Sequence, residues 1–140
     1  TGVDPANVEL EITESVAMLD PERIVALLNR IKGFGFTVAI DDFGTGFSSL
    51  AYLQRLPVDR LKIDRGFVGR IAFDGEGKNI AEMIIDLGRN LGMGVIAEGV
   101  EDAAQADYLR ARGCHEAQGF LYARPLDADA LLEWLKKRGD

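Results

Sequence analysis

The chain has 140 residues, 47% hydrophobic and 28% charged, with a formal net charge of −7 and a pI near 4.7. This is the balance of an ordinary soluble globular domain, and the absence of any basic stretch excludes a footprint for duplex nucleic acid. One cysteine, Cys114, excludes an intrachain disulfide, and no apolar run reaches the length of a membrane span, so no membrane contact is expected.

Five strand-like runs recur along the chain: Val8 to Thr13, Phe36 to Asp41, Arg60 to Asp64, Gly94 to Glu98 and Ala117 to Ala123. Their starts lie 28, 24, 34 and 23 residues apart, a rhythm that suits repeated strand–helix units in a parallel sheet. In the first run, alternation puts Glu9, Glu11 and Thr13 on one face. Asp20 and Pro21 then start a helix that Gly33 ends, with Ile24, Leu27, Leu28 and Ile31 as its apolar face.

The second run closes on Asp41 and Asp42, and the glycine-rich turn Phe43-Gly44-Thr45-Gly46-Phe47-Ser48 follows at once. Two adjacent acids are costly without positive charge between them, and a divalent metal is the simplest remedy. The structural alternative is a solvated turn, or a cap for the short helix after Ser48. The third run sets Lys62 and Asp64 on one face, opposite Leu61 and Ile63. Lys62 is either a salt-bridge partner or a group that holds a water or a phosphate oxygen.

Asp74 to Lys78 reads as an exposed loop. Beyond it Ile80, Ile84, Leu87 and Leu91 form a helix face closed by Gly92. The fourth run ends in Glu98 before Gly99, and the fifth carries Gln118-Gly119. Asp102 and Asp127 cap the last two helices, the final one burying Leu131, Leu132 and Leu135, with Trp134 extending that side. His115, at a helix-to-strand turn, reads as structural or surface.

Helices covering a parallel sheet bury both its faces, and a buried acid must be paired or bind metal. Four successive strands carry acids near the same end. In barrels of parallel strands that end gathers the reactive groups, so the acids converge on one site.

The runs Glu11-Ile12-Thr13-Glu14-Ser15, Asp41-Asp42-Phe43-Gly44-Thr45-Gly46, Leu61-Lys62-Ile63-Asp64, Ala97-Glu98-Gly99-Val100-Glu101 and Gln118-Gly119-Phe120 resemble the EAL domain, a family of bacterial cyclic-di-GMP phosphodiesterases. The resemblance covers essentially the whole chain, in order. It implies an α/β fold of the TIM-like (β/α)8 barrel type with one antiparallel strand, and hydrolysis of cyclic-di-GMP to linear pGpG with Mg2+ or Mn2+ at a two-metal site. By the resemblance Glu11 binds the first metal, Asp41 bridges both, and Asp42 and Glu98 hold the second. Glu98 is also cast as a general base, and Lys62 contacts the attacking water. Glu14 braces the loop that contains Phe43, Gly44, Thr45 and Gly46, which couples to dimer contacts, so a homodimer is expected. Gln118, Asp64 and Glu101 lie on the substrate side or support the metal ligands. Phe47 and Phe120 stand where the family often has tyrosine.

The Glu-Ala-Leu motif and an asparagine that the family carries upstream are absent. Together with the first residue, Thr1, this makes residues 1–140 the expected C-terminal portion of an EAL domain. Five strand–helix units make a half-barrel, to be completed by an N-terminal half or by oligomerisation, and the fragment alone is expected to be inactive. The resemblance further implies a cytoplasmic location, alone or as the cytoplasmic part of a larger sensor. The rival readings are a catalytically inactive EAL-type module that binds cyclic-di-GMP or a protein, and a metal-dependent barrel lyase acting on small acids.

Overall fold

Short runs of three to seven residues make the strands of the computed structural model, which describes residues 2–46, 49–71 and 75–139. The strands are β1 (Glu9–Thr13), β2 (Thr37–Phe43), β3 (Arg60–Ile63), β4 (Gly94–Glu98) and β5 (Glu116–Gln118). They form one parallel sheet in the order β1-β2-β3-β4-β5, each neighbour reached through a helical crossover. The crossovers carry α1 (Glu14–Ala17), α2 (Pro21–Gly33), α3 (Leu50–Leu53), α4 (Arg65–Arg70), α5 (Gly75–Leu91) and α6 (Ala103–Ala111), and α7 (Ala128–Arg138) follows the sheet. Five parallel strands alternating with helices make a half-barrel, with β1 and β5 as its edges among the described residues.

The core lies between the sheet and its helices. Val38, Ile40, Leu61, Ile63, Val68 and Ile84 are fully buried there, each such side chain contributing roughly 1.5–3 kcal/mol of transfer free energy. The expected caps form. Asp20 accepts from Arg23 N and Asp127 from Ala130 N, while Asp102 and Gln105 make a reciprocal capping box. No helix among the described residues is long and apolar enough to cross a membrane.

Several expectations are corrected. The fifth strand stops at Gln118 instead of running to Ala123, because at Gly119 the chain turns out of the sheet and Tyr122 N donates to Gly119 O. Residues 75–78, expected in a loop, open helix α5, whose start crosses α4 closely. A Cβ on Gly77 would lie 2.7 Å from Arg70 Cβ and 3.0 Å from Phe67 O, so the glycine permits a packing that local propensity does not signal. Asp74, like Phe47 and Ser48, lies outside the described residues. Leu131, Leu132 and Leu135 are 44%, 56% and 37% exposed, so α7 does not bury its leucine face against the described residues. Leu27 is likewise 47% exposed, leaving Leu28 as the buried anchor of α2.

Candidate active site

Strands β1 to β4 deliver their acids to one end of the sheet, around a cation from the middle strand. Lys62 on β3 is 4% exposed and places Nζ 2.5 Å from Glu11 Oε1 on β1, 2.6 Å from Glu98 Oε1 on β4 and 3.7 Å from Asp41 Oδ1 on β2. Burial opposes the charge on Lys62. The hydrogen bonds to Glu11 and Glu98, with the charges of Glu98 and Asp41, outweigh it and hold the ammonium above its ordinary range. For Glu98, burial raises the carboxyl, the Lys62 hydrogen bond and charge pull it back, and Asp41 pushes it up again, leaving it above the usual value.

Simple alternation would send Asp41 and Asp42 to opposite faces. The structure avoids this with a bulge: between Ile40 and Phe43 the chain takes three steps while its partner β3 takes two, from Leu61 to Ile63. Asp42 absorbs the extra residue with φ +53°, the one non-glycine left-handed residue among those described. Asp41 Oδ1 accepts from Asp42 N at 2.9 Å, and both carboxylates turn to the same side. As a result Asp41, Asp42 and Glu98 bring carboxylate oxygens within 4.8 Å of one another, the one such group among the described residues. Asp42 does not cap the short helix α3, where Ser49 stands at the N-cap. Its own carboxyl is pushed up by burial and by the charges of Asp41 and Asp64.

This donor set fits a hard divalent cation. Three carboxylates offer the oxygen ligands that Mg2+ or Mn2+ prefer, and Asp42 and Glu98 are raised first by burial and then by the neighbouring acid Asp41. Glu11 stands apart from the trio and spends its Oε1 on Lys62. Asp42→Asn is therefore expected to keep the kink, since asparagine tolerates left-handed backbone. An acid whose folded pKa is raised loses stability as pH rises through that pKa, so the amide is expected to hold or raise the metal-free thermal midpoint at neutral pH. It should weaken Mn2+ binding at least roughly tenfold. A variant that melts far below the parent yet binds Mn2+ normally would contradict this role for Asp42.

The remaining residues singled out from the sequence frame this cluster. Buried Glu14, at the start of α1, accepts from Gly44 N at 3.0 Å and Gly46 N at 3.1 Å, and Thr45 Oγ1 donates to Asp42 O at 2.7 Å, tying the glycine turn to the acid pair. Gly44 has φ +98°, and a Cβ there would lie 2.8 Å from the Phe67 ring. Phe43 is buried in the core. Asp64 caps α4 through Gly66 N, and its charge is among those that raise the Asp42 carboxyl. Gln118 and Glu101 border a cavity of about 230 Å³ beside Glu98, together with Arg65 and Phe120. His115 lies elsewhere, bordering a cavity with Arg89 and Glu116.

Sequence reading missed two arginines. Arg65 follows Asp64 and reaches the cavity without any sequence signal. Arg60 lies two residues before Lys62 on β3, and the alternation that paired Lys62 with Asp64 also signals it. It joins Glu9 Oε2 at 3.5 Å and Glu116 Oε2 at 2.8 Å.

A half-barrel of parallel strands with a carboxylate–lysine cluster at the carboxyl ends of its strands defines a chain of the α/β-barrel class whose site suits metal-assisted chemistry. The family model for the EAL domain matches residues 1–125, and the chain belongs to that family. It is 46% identical over 130 residues to the bifunctional diguanylate cyclase/cyclic di-GMP phosphodiesterase MucR of Pseudomonas aeruginosa, covering 93% of this chain and 19% of MucR. The solved MucR phosphodiesterase in its c-di-GMP complex superposes with a TM-score of 0.90 at 46% identity, covering 92% of this chain and 52% of that one. Klebsiella pneumoniae BlrP1, solved with manganese and cyclic-diGMP, matches with a TM-score of 0.80 at 34% identity, covering 89% of this chain and 32% of that one. The chain thus spans about a fifth of its curated relative and about half of the solved MucR chain.

Proposed function

We propose that this chain is the C-terminal portion of an EAL domain that hydrolyses cyclic-di-GMP to linear pGpG. The observation that carries the reading is the group of Asp41, Asp42 and Glu98 within 4.8 Å, with buried Lys62 beside it. MucR and BlrP1, both solved with the cyclic dinucleotide, support the substrate, and the manganese of the BlrP1 complex supports the cofactor.

Asp41, Asp42 and Glu98 would hold Mg2+ or Mn2+. A divalent ion there supplies Lewis-acid polarisation and offsets the charge that gathers on the phosphodiester. The Lys62 ammonium donates to the attacking water and orients it. Glu98, its carboxyl raised above the ordinary range by burial, takes the proton as the water adds to phosphorus, one ester P–O bond breaks and the departing oxygen picks up a proton from solvent. Gln118 and Glu101 face the substrate across the adjoining cavity, and Glu14 keeps the Gly44–Gly46 turn against the acids. A barrel closes with eight strands in this fold type, so an upstream half completes the domain and the first metal's ligands beyond Glu11 and Asp41.

The test is the rate of cyclic-di-GMP hydrolysis, with Mn2+ or Mg2+, by a polypeptide carrying the whole barrel, beside its Glu98→Ala variant. Turnover in the parent and a loss of at least roughly 10²-fold in the variant are expected. Residues 1–140 alone should be inactive. A parent that binds the dinucleotide without turnover would replace this reading with the binding module.

A further inference from the structure

Beneath the acid cluster, the same face of the sheet carries a second charged layer. Glu9, Arg60 and Glu116 precede Glu11, Lys62 and Gln118 by two residues on β1, β3 and β5. Two residues is the period that keeps side chains on one face of a strand. Arg60, from the central strand, reaches both edge strands: Nε lies 3.5 Å from Glu9 on β1 and Nη1 2.8 Å from Glu116 on β5. No other described ion pair joins those two edges through one residue.

The sheet is shaped for this reach. In the strand register Arg60 stands between Ala39 on β2 and Gly94 on β4. A Cβ at Gly94 would lie 3.2 Å from Arg60 Cγ and 3.8 Å from its Nε, so the arginine stem runs directly over the bare glycine on its way to β5. Alanine on the other side is small enough to leave the path to β1 open.

We propose that Arg60 is a positioning residue for the cluster above it. By drawing Glu9 and Glu116 towards the middle strand, it fixes how β1, β3 and β5 sit against one another within the curved sheet, and that sets how closely Glu11 and Glu98 approach Lys62. Glu11 and Glu98 lie on strands that are not neighbours of each other, so their 2.5 and 2.6 Å contacts with one ammonium exist only while the sheet stays curved. As free-standing pairs, half-exposed salt bridges of this kind contribute little to stability. The role of Arg60 is therefore geometric, and it separates from a general loss of stability. The inference rests on the proposed function only where it concerns metal binding.

The experiment compares Arg60→Met, Arg60→Lys and Gly94→Ala with the parent, in the whole-barrel protein. Mn2+ affinity is read by electron paramagnetic resonance, and the thermal midpoint is measured alongside. Arg60→Met keeps the stem and is expected to weaken Mn2+ binding roughly tenfold, in the range seen when a group supporting a ligand is lost, with little change in midpoint. Arg60→Lys retains one charge and should recover part of the affinity. Gly94→Ala obstructs the stem and should reproduce part of the Arg60→Met loss. A second readout needs no metal: the 15N–1H signal of the Lys62 ammonium, protected by Glu11 and Glu98, should broaden or vanish in Arg60→Met. Unchanged affinity and an unchanged Lys62 signal would overturn the proposal, as would a loss of affinity that merely tracks unfolding. A parent that binds no Mn2+ would overturn the proposed function instead, and the ammonium signal would still decide the role of Arg60.

Discussion

In the whole-barrel protein, if it turns over as proposed, Lys62→Met is expected to cripple turnover while leaving a site that binds Mn2+. The methionine keeps the apolar stem of a side chain that is 4% exposed, but Glu11, Asp41 and Glu98 lose the ammonium that all three share. Removing one partner of a buried ion pair leaves uncompensated charge and costs about 3–5 kcal/mol when burial is complete. Here Glu11 is 45% exposed and Asp41 27%, so solvent screens part of the repulsion and the metal-free variant should lose about 2 kcal/mol. Added Mn2+ should restore most of this, because an ion that binds only the folded state stabilises it by mass action. Turnover should still fall at least roughly 10²-fold, since no donor then orients the water. Thermal midpoints with and without Mn2+, beside the hydrolysis rate, test this. A variant that turns over normally, or whose metal-free midpoint matches the parent, would remove Lys62 from the role assigned to it.

Gly119→Ala is expected to be the most damaging glycine-to-alanine change among the described residues. A Cβ there would lie 2.2 Å from Val100 O and 2.3 Å from Val100 N. Both obstacles are backbone, so no rotamer change relieves them. The same backbone atoms join the ends of β4 and β5: Val100 N donates to Gln118 O at 3.0 Å, and Leu121 N donates to Val100 O at 3.0 Å. The methyl would force these segments apart, next to the cavity that Gln118 and Glu98 share. A loss above about 3 kcal/mol is expected, the size that marks overpacking and broken buried hydrogen bonds. Gly69→Ala, in helix α4 with nothing within 4 Å of the new methyl, is the control and should be neutral or slightly stabilising. Equal denaturation midpoints for the two variants would show that the close approach at Gly119 is not rigid.

The parallel sheet of strand–helix units and the end at which the acids gather were legible from local pattern. Short apolar runs, caps such as Asp20 and Asp102, and acids at successive strand ends are local signals, and the sheet follows from them. What escaped the sequence depends on contacts between distant segments. Alternation alone cannot explain why neighbours Asp41 and Asp42 share a side, because the bulge appears only when β2 is laid against β3. The helical start at Gly75 depends on α4 beneath it, and the early end of β5 on the turn at Gly119. The leucines of α7 have the period of a buried face, but periodicity says nothing about what lies opposite. Alternation places Arg60 on the face of Lys62, but its partners sit on strands 51 and 56 residues away, so only the folded sheet brings them together.

The extra residue in β2 also suggests how a domain of this kind could lose its chemistry and keep its shape. Without Asp42, the segment Ala39-Ile40-Asp41-Phe43 would run in step with Arg60 to Ile63, as an ordinary strand whose side chains alternate. The apolar residues that hold the sheet would keep their places, the left-handed residue at Asp42 would be gone, and the carboxylate trio would be reduced to a pair. Deletion of a single codon would thus yield a well-folded protein with an incomplete cation site, a short evolutionary step from a catalyst to a domain retained for its surface alone.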